Sequence, residues 1–302
     1  MTDSHDVQSE PPPSVMGIRV FVNGPSGGNP VPLVVDASQM TSSQMLDIAR
    51  QFGHESAFVV PPSSESADWR FRFFVPCHEM EMCGHATVGT LWAMRQLGLW
   101  ENPTARIETL SGPVDALWDE PAQQVWVSQP PVQVHELSDH HRQRVADVLR
   151  LPPNMNYVTM INAATSRIKT LVELPTADFL HGLQPDFSAM EGLCKEIGST
   201  GLYPFYLDET RVTGTTVFAR QFPRASGYAE DAATGIAAAA LWGYLVNVGV
   251  VPAGSPDAPA ACTVRQGDAM GCPSAIVIRG RFNPDGHIQG CWLSGRVEWS
   301  VL

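Results

Sequence analysis

The chain has 302 residues, 44% of them hydrophobic, and this length exceeds one usual core, which predicts two packed lobes of about 150 residues each. Its formal net charge of −12 argues against binding to nucleic acid or to an anionic membrane surface, because both polyanions require a basic patch. The hydrophobic fraction also argues against a chain that is disordered throughout.

The first 14 residues are polar, acidic and rich in proline, and we expect them to form a disordered tail. They lack the apolar core of a signal peptide, and no later segment approaches the ~18 continuous apolar residues of a membrane span. The six cysteines are too few for a disulfide scaffold. These features predict a protein of the reducing cytoplasm.

Strand-like and helix-like segments alternate along the rest of the chain. In the first half, the pattern predicts strands at 16–22, 30–35, 57–61, 69–75, 114–118 and 124–127, and helices at 38–52 and 85–97. Residues 128–136 are expected to cross between the lobes. The second half predicts helices at 138–149, 188–196 and 234–246, and strands at 168–174, 202–207, 215–222, 274–279 and 290–302. No GxGxxG loop joins a strand to a helix, which argues against a dinucleotide-binding fold.

One short pattern recurs after a shift of 147 residues, which carries Pro76 onto Pro223. Eight residues after each proline stands the start of a predicted helix, GHAT at 84–87 and DAAT at 231–234. The same shift aligns two strand phenylalanines, Phe58 and Phe205. The pattern suggests two related lobes, each with a helix that begins at the same place.

Two helix starts that face each other would form an anion site, because the first N–H groups of a helix lack partners and carry partial positive charge. Small residues at both starts would let a ligand approach the backbone; they are Gly84, Ala86, Gly89, Ala232, Ala233 and Gly235. The alternative is that these residues merely allow two core helices to pack closely.

Three side chains near these starts could carry proton chemistry. Glu55 precedes the apolar run 56–60, and partial burial there would raise its pKa towards neutrality, as a general acid/base needs. His85, in the first helical turn, would act as a neutral donor or acceptor, and Asp231 stands at the second helix start. The alternatives are an exposed carboxylate for Glu55 and ordinary helix capping for His85 and Asp231.

Cys83 also lies at a helix start, where a thiol has a lowered pKa and could act as a base. The 147-residue shift places Glu230 at the equivalent position, so a pair of thiol bases is not expected. A zinc site built from Cys77, His78, Cys83 and His85 is disfavoured, because their spacing matches none of the usual zinc patterns.

Six motifs, in order and spacing, resemble the PhzF-like family of phenazine biosynthesis. They are GNP at 28–30, ESAFV at 55–59, RFFVP at 72–76, CGHATVG at 83–89, EDAATG at 230–235 and QGDAMGCPS at 266–274. The resemblance spans about residues 18 to 300. It implies the α+β diaminopimelate-epimerase fold, with two pseudo-symmetric lobes, each a curved, mostly antiparallel sheet around a central helix. The lobes would cover 15–128 and 129–292, and the C-terminal strand 293–302 is a candidate addition to the first lobe.

The same resemblance implies a homodimeric isomerase that needs no metal and no organic cofactor, of the trans-2,3-dihydro-3-hydroxyanthranilate isomerase type. It makes Glu55 the general acid/base, with His85 and Asp231 as polarising or proton-relaying groups, and it implies a small anionic substrate. Substrate contacts would come from the two helix starts: Cys83, Gly84, Ala86, Thr87, Ala232, Ala233, Thr234, Gly235 and Ile236.

Two departures from the family pattern bear on the substrate. Ala232 stands where the family commonly has proline, and Ile236 stands where it has a serine that helps to hold the substrate. Two other functions stay open at this point: an amino-acid epimerase or racemase like the parent fold, and a non-catalytic binding protein that keeps the cleft.

Overall fold

The computed structural model describes residues 14–153, 159–208 and 215–302, so the predicted tail lies outside these ranges except for Ser14. The described residues form eighteen strands and six helices. The strands are β1 (Met16–Val20), β2 (Asn29–Val34), β3 (Ser56–Val60), β4 (Trp69–Phe74), β5 (Glu79–Met80), β6 (Thr104–Thr109), β7 (Gly112–Asp119), β8 (Gln124–Gln129), β9 (Gln133–Glu136), β10 (Met160–Ala164), β11 (Ile168–Glu173), β12 (Gly201–Leu207), β13 (Thr215–Ala219), β14 (Phe222–Pro223), β15 (Ala261–Gln266), β16 (Ser274–Phe282), β17 (Ile288–Ser294) and β18 (Val297–Ser300). The helices are α1 (Ser42–Phe52), α2 (Gly84–Gln96), α3 (Asp139–Leu149), α4 (Ala177–Gly182), α5 (Phe187–Glu196) and α6 (Gly235–Asn247).

The strand pairing follows the same order twice. From one edge it runs β18–β1–β2–β3–β4–β6–β7–β8. From the other edge it runs β9–β10–β11–β12–β13–β15–β16–β17. Strand β8 pairs with β17 and joins the two series. In each series two pairs are parallel, β2–β3 and β4–β6 in the first and β11–β12 and β13–β15 in the second, and the others are antiparallel.

The two halves exchange their last strands. Strand β9 follows the first half in sequence but pairs with β10 of the second, and β18 ends the second half but pairs with β1 of the first. The segment 128–136, predicted to cross between the lobes, therefore ends in β9, which belongs to the sheet of the second half. This exchange ties the chain ends of each half to the opposite sheet.

A buried helix fills each half. Helix α2 packs against β1, β2, β3 and β8, and α6 packs against β10, β11, β16 and β17. Both are apolar or small on nearly every side, as a helix surrounded by sheet must be, instead of showing one apolar stripe. At Gly89 an added Cβ would lie 2.5 Å from Val20 Cγ2, so the helix backbone lies directly on the sheet. The predicted architecture is confirmed.

The other helices cover the outside of the sheets. Helix α1 places Met45 and Ala49 over Phe58 and Phe74 in a small separate core. Helices α3, α4 and α5 cover the second half and enclose a larger outer core. None of the helices in the described ranges is long and apolar enough to cross a membrane.

The sequence patterns did not predict β5, β6, β10, β15 and α4. Strand β6 (TARIET) alternates with charged residues and β10 (MINAA) is short and rich in alanine, so neither carries a strong strand pattern. The predicted strand 16–22 stops at Val20, because Phe21 adopts a φ of 64°. The predicted strand 215–222 is interrupted after Ala219, and Phe222–Pro223 pairs separately with β12.

The 147-residue shift is correct for the strands and wrong for the helix. Phe58 pairs with Arg72, and Phe205 pairs with Ala219, so both partners obey the shift. Eight residues separate Pro76 from the first residue of α2, whereas twelve separate Pro223 from the first residue of α6. The second half therefore has four extra residues in the loop before its central helix, and the true equivalent of 83–87 is 234–238.

Candidate active site

The starts of the two central helices meet at the centre of the molecule. Cys83 is the N-cap of α2, and its Sγ accepts a hydrogen bond from the Ala86 amide at 3.4 Å. Thr234, not Asp231, is the N-cap of α6. A Cβ added to Gly84 would lie 3.3 Å from the Ile236 amide nitrogen. The two helix starts therefore touch through their backbones, as the sequence predicts, and the first backbone N–H groups of both helices lie at this junction.

One cavity opens at this junction, and the four residues expected to converge line it: Glu55, Gly84, His85 and Asp231. Of the other predicted substrate contacts, Cys83, Thr234, Gly235 and Ile236 also line it. Ala232 lines a neighbouring cavity.

The remaining three predicted contacts, Ala86, Thr87 and Ala233, are fully buried and are not among the described residues that line this cavity, so their contact with substrate stays a prediction. The Thr87 hydroxyl donates to the Cys83 carbonyl at 2.7 Å.

Both oxygens of the Glu55 carboxylate accept hydrogen bonds from uncharged donors. The Cys83 thiol donates to Oε2 at 2.8 Å, and the Tyr228 hydroxyl donates to Oε1 at 2.8 Å. His85 Nε2 lies 3.5 Å from Oε2. The side chain is 13% exposed, so the carboxylate faces the cavity from within a mostly buried position.

The pKa of Glu55 is lowered, not raised as the sequence predicts. Burial by itself raises it, but His85, the hydrogen bonds from Cys83 and Tyr228, and the charge of Arg167 together outweigh burial. The sequence places Glu55 beside an apolar strand, but it does not reveal these partners. The carboxylate is therefore held ionised, which is the state that accepts a proton.

The prediction of a lowered pKa for Cys83 is also wrong. Burial raises the pKa of this thiol well above its usual range, and the neighbouring Glu55 charge raises it further. The helix-start amide of Ala86 lowers it, but by less. Cys83 is therefore a hydrogen-bond donor to Glu55.

Asp231 lies deeper, just before α6. Its Oδ1 accepts from Asn29 Nδ2 at 2.6 Å, and its Oδ2 accepts from the Thr234 hydroxyl. Burial raises the pKa of Asp231, and the Glu55 charge adds to this. The two carboxyl groups thus have pKa values moved in opposite directions, an arrangement typical of acid and base pairs in active sites.

Two of the sequence motifs contribute side chains that hold the turn before α6 in place. The bond from Asn29 to Asp231 explains GNP at 28–30, since it links the first half to the loop before α6. Gln266 donates to the Asp231 carbonyl at 2.6 Å and accepts from the Thr234 amide at 3.2 Å, so QGDAMGCPS begins with the residue that holds this turn.

Glu230 does not occupy the equivalent position of Cys83. It forms a two-pronged ion pair with Arg220, at 2.9 and 2.7 Å, outside the cavity. The residue that matches Cys83 is Thr234. The second helix start therefore carries a hydroxyl where the first carries a thiol. A pair of thiol bases is still not expected, but the residue aligned with Cys83 is Thr234 and not Glu230.

Three functional candidates were missed by the sequence analysis: Tyr228, Arg167 and Lys169, all lining the cavity. Tyr228 lies in the four-residue-longer loop, where no motif marks it. Burial raises the pKa of Tyr228 well above its usual range, which keeps it a donor to Glu55. Arg167 immediately precedes β11 and Lys169 is its second residue, and this spacing of two, which puts both side chains on one face, was the available signal.

The described residues bring three potential metal ligands together, Glu55, Cys83 and His85, with ligand atoms within 4.8 Å of one another. Cys77 and His78 are not part of this group. In this structure the three side chains form a hydrogen-bonded group, in which the Cys83 thiol donates to Glu55 and lies 3.5 Å from His85 Nδ1.

Comparison with known proteins agrees with this geometry. The family model "Phenazine biosynthesis-like protein" (PhzC-PhzF) matches residues 18–296. An uncharacterized isomerase of Deinococcus radiodurans is 30% identical over 268 residues, which cover 86% of this chain and 84% of that protein.

Among solved structures, a phenazine biosynthesis protein of the PhzF family from Bacillus anthracis has a TM-score of 0.80 at 26% identity, covering 94% of this chain and 96% of that one. A probable proline racemase from Agrobacterium radiobacter shares the fold, with a TM-score of 0.62 at 13% identity over 95% and 92% of the two chains. The chain belongs to the PhzC-PhzF family and is an isomerase of that family.

Proposed function

We propose that this isomerase moves a proton between two carbon atoms of a small carboxylate-bearing substrate, with Glu55 as the single general acid/base. The substrate class is that of trans-2,3-dihydro-3-hydroxyanthranilate. The observation that carries the proposal is the Glu55 carboxylate, which lines a cavity at the junction of two helix starts and has a hydrogen-bond donor on each of its oxygens.

The reaction needs no change of oxidation state. The Glu55 carboxylate takes a proton from a carbon atom, and the electron pair of that C–H bond delocalises into the substrate. The converging N–H groups of the helix starts stabilise the negative charge that develops. Glu55 then returns the proton to a second carbon atom, and its carboxylate is regenerated.

His85 and Asp231 have supporting roles in this proposal. His85 Nε2, at 3.5 Å from Glu55 Oε2, can relay or share the proton while the substrate reorganises. Asp231, whose pKa is raised by burial, can donate to a substrate oxygen. Thr234 and Asn29 hold its carboxyl group in place.

An amino-acid epimerase is the second candidate, and the site supports it less well. Inversion at a carbon atom by two thiols needs one base on each side, and the second helix start carries the Thr234 hydroxyl. Ile236 lines the cavity where the family has a serine, so we propose that the substrate presents an apolar part there. A homodimer and the lack of a metal requirement stay predictions, to be tested by light scattering and by dialysis against a chelator.

Replacement of Glu55 tests the proposal. Glu55→Gln keeps the shape of the side chain but cannot take a proton, so we expect turnover of trans-2,3-dihydro-3-hydroxyanthranilate to fall by at least about 10³-fold with little change in melting temperature. Glu65→Gln, which changes an exposed glutamate, is the matched control and should keep full activity. A Glu55→Gln enzyme with wild-type turnover would disprove the role of Glu55.

A further inference from the structure

One side chain of the cavity has polar atoms that the proposed proton transfer does not use. Gln221 lines the cavity with Glu55 and Asp231, and it is only 1% exposed. Neither Oε1 nor Nε2 of its amide has a hydrogen-bond partner among the described residues. Burial of a polar amide without hydrogen bonds costs free energy, so an unpaired amide beside a cavity indicates a ligand that supplies them.

The fold holds this amide in place. The Gln221 carbonyl accepts a hydrogen bond from the Asp231 amide at 3.0 Å, which fixes its backbone beside the loop before α6. The preceding residue, Arg220, pairs with Glu230 outside the cavity, and successive side chains of an extended segment leave on opposite faces. A Cβ added to Gly201 would collide with Gln221 Nε2, so the glycine leaves room for the amide.

Two hydroxyl groups that line the same cavity differ from the Gln221 amide, because each has an acceptor within the protein. The Tyr228 hydroxyl donates to Glu55 Oε1, and the Thr200 hydroxyl donates to the Ile168 carbonyl at 2.7 Å. Their hydrogen bonds are made before any ligand arrives. The Gln221 amide makes none and is available to a ligand at both ends.

The two ends of the amide need different partners. Oε1 only accepts a hydrogen bond and Nε2 only donates. A single carboxylate could therefore satisfy only Nε2, and a single ammonium group only Oε1. Because both amide atoms are bonded to one carbon atom, the amide matches a donor and an acceptor on neighbouring carbon atoms of a ligand.

We propose that Gln221 is a specificity-determining residue that recognises an amino group and a hydroxyl group on neighbouring carbon atoms of the substrate. The amino group donates to Oε1, and the hydroxyl group accepts from Nε2. This rests on the proposed function and deepens it, because it narrows the substrate class to carboxylates that carry such a pair. A compound without the pair leaves the buried amide unpaired on binding, which is how a polar site rejects an analogue that lacks a polar group.

Binding of unreactive aromatic ligands, measured by calorimetry, tests this without any turnover. The wild-type protein should bind 3-hydroxyanthranilate, which carries the pair beside its carboxylate, at least about tenfold more tightly than benzoate, which lacks both groups. Anthranilate, which has the amino group alone, should bind with an affinity between these two. Equal affinities for 3-hydroxyanthranilate and benzoate would overturn the proposal, and this result needs no variant.

A variant separates recognition from a structural role of the glutamine. Gln221→Leu replaces the amide with an apolar side chain, so the preference for 3-hydroxyanthranilate over benzoate should shrink to about twofold or less while benzoate binding stays unchanged. The melting temperature without ligand should not fall, because an unpaired amide is lost. Gln289→Leu, at an exposed glutamine of β17, is the matched control and should keep the wild-type preference.

An amide that only packs against Gly201 or holds a water molecule would give a different result. Gln221→Leu would then have a lower melting temperature or weaken both ligands equally, with the wild-type preference intact, and the proposal would be wrong. If Gln221→Leu fails to fold, the ligand series on the wild-type protein decides the question. Because every readout is binding, the acid/base proposal is judged separately, by the turnover of Glu55→Gln.

Discussion

The two halves of the molecule share a sheet order and a central helix, but they bring different chemistry to the cavity. The first half supplies Glu55, Cys83 and His85. The second half supplies Tyr228, Asp231, Arg167 and Lys169. The position that matches Glu55 in the second half is Leu202, at the strand that pairs with β11. The two halves therefore have similar helix starts but different ionisable side chains around the cavity.

Among the variants that compare the two halves, those at the helix starts have the largest expected effect. A Cβ at Gly84 would lie 3.3 Å from the Ile236 backbone nitrogen, whereas a Cβ at Gly235 would meet only side chains within 3.5 Å. We expect Gly84→Ala to push the two starts apart and to lower kcat/KM about 10- to 100-fold. Gly235→Ala should cost less, because Leu293 can move.

Gly192→Ala is the control for these two variants, since nothing lies within 4 Å of its added Cβ. Steady-state kinetics of the three variants measure the comparison directly. Equal losses for Gly84→Ala and Gly235→Ala would contradict a backbone contact across the junction.

A variant at Tyr228 has the next largest expected effect, because this residue of the second half donates a hydrogen bond to Glu55. The hydrogen bond from Tyr228 to Glu55 Oε1 lowers the pKa of Glu55. Tyr228→Phe removes this hydrogen bond, so the pKa of Glu55 should rise. We expect turnover to fall about tenfold, and the acid limb of the pH–rate profile to move to higher pH, because the carboxylate then protonates more easily. Tyr206→Phe, which removes a hydroxyl outside the cavity, should leave the limb in place. An unchanged limb in Tyr228→Phe would show that the hydroxyl does not hold Glu55 ionised.

Lys169 gives an effect on stability. Its pKa falls from 10.5 to about 7 on folding, so burial of the charged form costs free energy in full below about pH 7. That cost is relieved as the pH rises towards 10.5, where the lysine is neutral in both states. We expect Lys169→Met to raise the free energy of unfolding at about pH 6 by on the order of a few kcal/mol, with a smaller gain at about pH 9. The melting temperature, measured at both pH values, should rise accordingly. An equal loss of stability at both pH values would mean that the side chain is needed for packing.

The sequence identifies the residues at the helix starts well, because Gly84, His85 and Asp231 stand in motifs whose small residues allow helix starts to touch. It does not identify Tyr228, since the four extra residues before α6 break the repeat there. It also misjudges the direction of the Glu55 and Cys83 pKa shifts. Those directions depend on which donors and charges the fold brings within 4 Å of the Glu55 carboxylate. One of these donors, Tyr228, is far from Glu55 in the sequence. Lys169 is missed because a lysine in the strand IKTLVE fits a solvent-facing position equally well.

The most direct test of the central claim follows the proton itself. The substrate trans-2,3-dihydro-3-hydroxyanthranilate would carry deuterium on the carbon atom that loses the proton, and the product formed in ordinary water would be analysed by mass spectrometry. A single base that keeps the abstracted proton predicts that part of the product carries deuterium on the new carbon atom, and that Glu55→Gln forms no labelled product. Complete loss of deuterium to water, together with a wild-type rate for Glu55→Gln, would contradict the assignment of Glu55 as the base that moves the proton.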